Sequence, residues 1–347
     1  MIAFQTFLQK IQKGIRKHYG TDYDVEIHEV RKNNAVTYHG ITVMHKDGNV
    51  APTIYMEQFY REYMDGCPLS EVLQGVIGLY EKYKITEEVD MRDFLDFKQA
   101  GANIAYKLVH YEENLEELKR TPHIRFLDMA VVFYYRVSRA PFGNASIVIR
   151  RNVCGMWKIS EKELYEKAKE NTPQILPPVI RDMQEILSET KPVGKERNME
   201  EADTEPDTDP DTEPDTDPDI EPDAEWDTEP DIEPDAELDM EVLTLKEKGF
   251  MYVLTNPQRQ FGAACILYPD VLDRFAGKLR KNLYVLPSSV HEVILVPERQ
   301  GMCAEAFGQI VREINDTQVE REEVLSDSVY YYDWKKKELM IAQKVCR

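Results

Sequence analysis

Between residues 200 and 241 this 347-residue chain has no Lys, no Arg and no Gly. The same stretch holds 22 carboxylates: Glu200, Glu201 and one at every odd position from 203 to 241. Pro206, Pro210, Pro214, Pro218, Pro222, Pro230 and Pro234 recur there in a four-residue unit of Thr, Ile or Ala, an acid, Pro and Asp. Outside the stretch stand 42 acidic and 43 basic side chains, so the formal net charge of −21 belongs to this tract alone. It has too little apolar surface to offset chain entropy, and each proline holds its predecessor extended. The tract is therefore predicted to be a disordered, self-repelling linker over residues 191–245, whose acidic run at 203–241 would span on the order of 120 Å when fully extended.

Other absences narrow the function. The five cysteines (Cys67, Cys154, Cys265, Cys303, Cys346) are odd in number and include no C-x-x-C pair. That pattern excludes a disulfide framework and a zinc finger and predicts reduced thiols in the cytoplasm. No apolar run approaches the ~18 residues of a spanning helix, and Met1 to Lys17 lacks the apolar stretch of a secretory signal, so no membrane is expected as a partner. The near-neutral balance outside the tract lacks the basic footprint of a nucleic-acid binder. No glycine-rich turn joins a strand to a helix as in a dinucleotide fold, and the tract has no glycine to shape a calcium loop, so no cofactor is expected.

Hydrophobic periodicity predicts an α+β protein of two or three mixed sheet-and-helix units joined by the acidic, Pro-rich linker. The units are placed at 1–98, at 99–190, where a core shared with the first is an open alternative, and at 246–347. In the first, Phe4, Phe7, Leu8, Ile11 and Ile15 form one apolar helical stripe with Lys10, Lys13, Arg16 and Lys17 opposite. A hairpin is expected about Asn33-Asn34, and residues 52–64 and 69–83 carry helical spacing. The middle unit shows strands at 104–109, 129–137 and 146–150 and a short helix at 112–119. Ser160 and Glu163 form a capping box opening a helix that ends near 170, and a last helix is expected at 179–187. After the tract, strands at 250–255, 263–267, 283–286, 292–296, 329–332 and 339–341 alternate with helices at 269–279 and 303–314.

Candidate chemistry is sparse. Ser288, Ser289 and His291 fall within four residues, and Asp327 follows between two serines, the residue types of a Ser/His/Asp hydrolase. Neither a G-x-S-x-G elbow nor an S-x-x-K motif accompanies them. His28 and His39 face across the expected hairpin, but beyond generic Glu26 and Glu29 they lack a third ligand, so no metal is expected. The aromatic runs Phe133-Tyr134-Tyr135 and Tyr330-Tyr331-Tyr332 fit the faces of strands. Trp226 and Leu238 replace prolines in the repeat, which leaves two options, partner anchors or an inert spacer.

Lys32-Asn33-Asn34, Gly40 to Val43, Ala51 to Tyr55, Phe261 to Ala264, Leu267 to Pro269, Leu286 to Ile294 and Ser326 to Asp333 together resemble the bacterial domain-of-unknown-function family numbered 5688. A more distant likeness to family 1444 rests on Ala51 to Glu62 and Pro287 to Ile294. The resemblance implies a bacterial cytosolic protein and brings no catalytic residue with it. Two functions stay open. The preferred one is a non-catalytic interaction module, with a protein partner or self-association, whose two folded parts are spaced by the acidic tract. The alternative is a small hydrolase or ligand-binding enzyme using Ser288 or Ser289 with His291 and Asp327.

Overall fold

The computed structural model describes residues 1–48, 51–84, 92–137, 146–190 and 250–342. The acidic tract, with the linker expected there, lies outside the described residues. The fold is α+β, with antiparallel sheets covered by helices. Among the described residues no helix is long and apolar enough to cross a membrane.

The chain opens with α1 (Phe4–Tyr19), β1 (Tyr23–Arg31), β2 (Thr37–His45), β3 (Thr53–Tyr55), α2 (Glu57–Met64) and α3 (Leu69–Tyr83). The stripe on α1 does what its spacing predicts: Phe7, Leu8, Ile11 and Ile15 are buried with Val25, Ile41 and Val43 of the sheet and Val72 and Val76 of α3. Gln12 Nε2 and Arg16 Nη2 both donate to Val25 O, at 2.9 and 2.7 Å, and fix the helix on the sheet. β1 and β2 pair in full antiparallel register about the expected turn, where Asn34 and Ala35 take φ of 54° and 57°. Asn tolerates that left-handed conformation better than most residues. The helix expected from residue 52 instead begins at Glu57, because Thr53-Ile54-Tyr55, β-branched and aromatic, pair with Gly40 to Thr42 as β3.

Next come α4 (Arg92–Leu95), α5 (Phe97–Ala100), β4 (Ile104–His110), α6 (Leu115–Leu118), β5 (His123–Phe126), β6 (Met129–Arg136), β7 (Ser146–Val148), α7 (Arg151–Trp157) and α8 (Glu161–Ile175). The continuous apolar run becomes β6, buried along nearly all its length, with β4 on one side and β5 and β7 on the other. The Ser160 and Glu163 capping box forms at the start of α8. That helix runs past residue 170 and through Pro173 to Ile175. In its last turns Thr172 Oγ1 donates to Ala168 O and accepts the β4 amide of Tyr106, which anchors this end to the sheet.

The rest comprises β8 (Val179–Asp182), α9 (Met183–Thr190), β9 (Tyr252–Thr255), α10 (Val271–Leu279), β10 (Leu283–Pro287), β11 (Val293–Pro297), α11 (Ala304–Thr317), β12 (Tyr330–Asp333) and β13 (Glu338–Ile341). Six strands form one sheet in the order β13-β12-β10-β11-β9-β8. Two expectations are corrected. The helix expected at 179–187 starts only at Met183, since Val179 to Asp182 pair with β9 as the sheet's edge. The strand expected at 263–267 is a tight 3-10 helix, Gly262–Leu267. There Phe261 turns into the left-handed region (φ 55°) and the Cys265 thiol bonds Thr255 O.

Tyr106, Phe133 and Leu164 share one hydrophobic core with Leu254, Cys265, Leu283 and Leu295, so stretches on either side of the tract are buried together. The opposite face of the six-stranded sheet packs Tyr284, Leu286 and Val296 under Phe307 and Val311 of α11. Asp128, beside the left-handed Leu127 between β5 and β6, accepts Ser326 Oγ and Tyr330 OH, both at 2.7 Å.

Gly262 marks the closest backbone approach: a Cβ there would lie 2.3 Å from Thr255 Oγ1 and 2.4 Å from His291 O. Gly262→Ala is expected to destabilise the protein by ~1–3 kcal/mol in urea unfolding. Gly78→Ala, on the exposed side of α3 with nothing within 4 Å, is expected to stabilise it by ~0.5–1 kcal/mol. Equal effects at the two sites would contradict this packing.

Candidate functional site

The hairpin turn between β1 and β2 reaches out of its own layer into the other two segments. Asn34 N–H donates to Asn114 Oδ1 and Asn114 Nδ2 donates back to Asn34 Oδ1, each at 2.9 Å. Asn34 Nδ2 donates to Arg321 O and Val324 O, at 2.8 and 2.7 Å. Asn33 Nδ2 donates to Glu322 O at 2.7 Å, and Asn114 Nδ2 to His110 O at 2.7 Å. Both Asn34 and Asn114 are buried. A buried amide left without partners is costly, so this network holds the turn, the end of β4 and the 321–324 loop in one arrangement.

A cleft of about 370 Å³ lies beside the network. Its floor is Lys107, Leu108 and Val109 of β4 with Val132 of β6, and its walls include Lys32, Phe261, His291 and Glu322. Arg150 and Glu117 at its rim form an ion pair with each other. His291 Nε2 stands 3.4 Å from Glu323 Oε1, and hydrogen bonding to His291 holds the Glu323 carboxyl below the usual range. Among the described residues four charged side chains of the lining, Arg31, Lys32, Lys107 and Glu322, make no ion pair. Lys107 Nζ sits 4.2 Å above the Phe261 ring and, among the described residues, has no ion pair. Burial, together with repulsion from Lys32, pushes its ammonium down to about 8. Glu322 Oε2 is buried with no hydrogen-bond partner, and burial holds that carboxyl above the usual range despite Lys32. Thr121 lines the same cleft with a buried, unpartnered Oγ1.

The residues expected for a hydrolase are placed as follows. Ser289 is buried and its Oγ accepts the backbone N–H of His291 at 3.0 Å, a local turn contact. Phe261 N–H donates to His291 Nδ1 at 3.2 Å, which puts the ring proton on Nε2, facing Glu323. A triad base needs the reverse: a proton on Nδ1 toward its carboxylate and Nε2 free to accept from serine. Ser288 is half-buried on the same loop. Asp327 instead accepts Asn315 Nδ2 at 2.8 Å and lines a different hollow, beside α11. The structure thus brings Ser289 and His291 into one turn and leaves Asp327 away from them. The cross-strand histidines are offset, His28 opposite Gly40 and His39 opposite Glu29. His39 bonds Glu57 Oε1 at 3.0 Å. Among the described residues no group of three His, Cys, Asp or Glu could hold a metal.

Sequence reasoning missed Lys107, Glu322 and Thr121. One signal was present for the first: a single Lys inside the otherwise apolar strand Ile-Ala-Tyr-Lys-Leu-Val. Glu322 lies in an acidic loop and gave none. Lys32 to Asn34, Phe261 and Val290-His291, all within segments that carry the family resemblance, meet at this cleft or its supporting network.

Residues 4–334 match the family of unknown function DUF5688, and the chain belongs to that family. The match does not bear on the likeness to family 1444. No curated protein and no solved structure matches the chain.

Lys107 also gives a pH prediction. Its ammonium is depressed in the folded state toward about 8 from an ordinary value of 10.5. The unfolded chain therefore binds more protons between those values, and the cost of the buried charge is fully present below pH 8 and relieved as pH rises to 10.5. Lys107→Met is expected to stabilise the protein at pH 7 relative to wild type, with the advantage shrinking by pH 10. Urea unfolding of both proteins at both pH values checks this, and a pH-independent difference would contradict it.

Proposed function

We propose that the protein is a non-catalytic binding module whose recognition site is the cleft between the hairpin turn, β4 and the loops at 261, 291 and 322. One observation carries this reading: Lys107, half-buried and resting on the Phe261 ring, makes no ion pair among the described residues and lines a half-open, partly apolar cleft. Burying a charge without a partner is unfavourable, and such a cost is sustained where a ligand completes the site. The volume is at the lower end for small-molecule pockets, ~300–1,000 Å³, and favours a small ligand over the protein partner or second copy expected from the sequence. A binding role is favoured over catalysis because His291, the imidazole of the cleft, is committed through both ring nitrogens, to Phe261 and Glu323.

Thermal melts of the full chain against a library of water-soluble metabolites test this. At least one compound is expected to raise the midpoint of wild type by several degrees, as ligand linkage requires at concentrations well above Kd. The same compound is expected to leave Lys107→Met unchanged. A library with no active compound, or one acting equally on both proteins, would contradict the reading.

A further inference from the structure

Resting on that reading, the geometry points to a ligand class: we infer that the cleft takes a free α-amino acid with an apolar side chain, its carboxylate met by Lys107 and Lys32 and its ammonium by Glu322. Groups of both signs face this space: Glu322 attracts both Lys107 and Lys32, but among the described residues none of them closes to an ion pair. Among the described residues Lys107 makes no ion pair, and Glu322 Oε2 is buried with no donor. Lys32 rests over the Tyr55 ring, 4.5 Å from its centroid, rather than on a carboxylate. A simple anion would satisfy the lysines and be repelled by Glu322 and Glu323, whereas a simple cation would meet the opposite conflict. A zwitterion satisfies both at once.

A third unsatisfied group is independent of these charges. Thr121 is 2 % exposed, lines the cleft, and its Oγ1 has no hydrogen-bond partner. Buried hydroxyls are nearly always bonded, so an unbonded one in a cavity wall marks a place for a ligand's polar atom. Between these groups the lining is apolar: Leu108, Leu118, Val132, Val290 and Phe261. That composition suits an aliphatic or aromatic side chain of modest size, and Phe261 is held against Tyr134 at 5.2 Å and stacked on His291 at 5.7 Å. Asn33, donating to Glu322 O, and Val290 N, donating to Glu323 O at 2.8 Å, fix the backbone that presents the acidic half of the site.

Titration calorimetry of the full chain with L-leucine, L-methionine and L-phenylalanine, and with the N-acetyl and amide derivatives of each, tests the assignment. At least one parent amino acid is expected to bind. Its N-acetyl derivative, without the ammonium, and its amide, without the carboxylate, are each expected to bind at least tenfold more weakly. Glu322→Gln is expected to weaken the parent at least tenfold while changing the N-acetyl derivative little. Thr121→Val, nearly the same shape, should weaken the parent severalfold while the melting midpoint without ligand stays the same or rises, since the substitution removes an unbonded buried hydroxyl. An N-acetyl derivative binding as tightly as its parent would overturn the inference and leave the broader binding reading standing, as would inorganic phosphate binding in a Lys107-dependent way with no amino acid bound. No heat from any amino acid, together with an inactive metabolite library, would overturn both.

Discussion

The reciprocal pair of hydrogen bonds between Asn34 and Asn114 is the constraint on which the candidate site depends. Asn34 has two tasks that few side chains combine. Its backbone occupies the left-handed region at the tip of the β1–β2 hairpin, and its amide spans three partners in two other segments. A glycine would serve the first task and not the second, and a longer amide would lose the geometry of both. Because the pair is buried, leaving either amide unmatched carries a desolvation cost, and the turn is held in one place. That fixed turn carries Lys32 and Asn33 to the cleft, and Asn33 holds the backbone of Glu322, which lines the same cleft as Lys107.

Behind the cleft the scaffold is stiff for ordinary reasons. β6 is buried on both faces, and the core beneath it is continuous with that of the six-stranded sheet. Asp128 ties the turn before β6 to Ser326 and Tyr330, and Gly262 permits the backbone of β9 and the His291 loop to come together. The functional surface is made of loops and strand ends set on this frame, the usual division between scaffold and site. Its charges are unequal in their satisfaction: Arg150 with Glu117 and His291 with Glu323 are paired, while among the described residues Arg31, Lys32, Lys107 and Glu322 line the cleft without an ion pair. A structural role would more readily be filled by apolar residues, which stabilise as well without the desolvation cost.

Much of the fold was legible in the sequence. The stripe on α1, the Asn-centred hairpin, the Ser160 capping box and most C-terminal strands follow from periodicity and local chemistry, which act within a few residues. Two failures share a cause. Residues 179–182 and 262–267 were decided by tertiary partners, an open edge on β9 and the close contacts at Gly262, which no local pattern reveals. The site was harder to read. Ser288, Ser289, His291 and Asp327 were grouped by residue type and nearness in sequence, yet a bond to Phe261 N–H settles the role of His291, and Asn315 engages Asp327. Lys107 and Glu322 are more than two hundred residues apart, so their meeting depends on the docking of the hairpin turn rather than on spacing.

A double-mutant cycle in urea unfolding on Asn34→Gly and Asn114→Ala tests the central claim most directly, since glycine keeps the left-handed turn while removing the amide. If the buried pair holds the cleft together, the two substitutions should be strongly non-additive, with a coupling of ~0.5–3 kcal/mol. Additivity within ~0.3–0.5 kcal/mol would mean that the pair does not act as a unit, and the account of the site would fail with it.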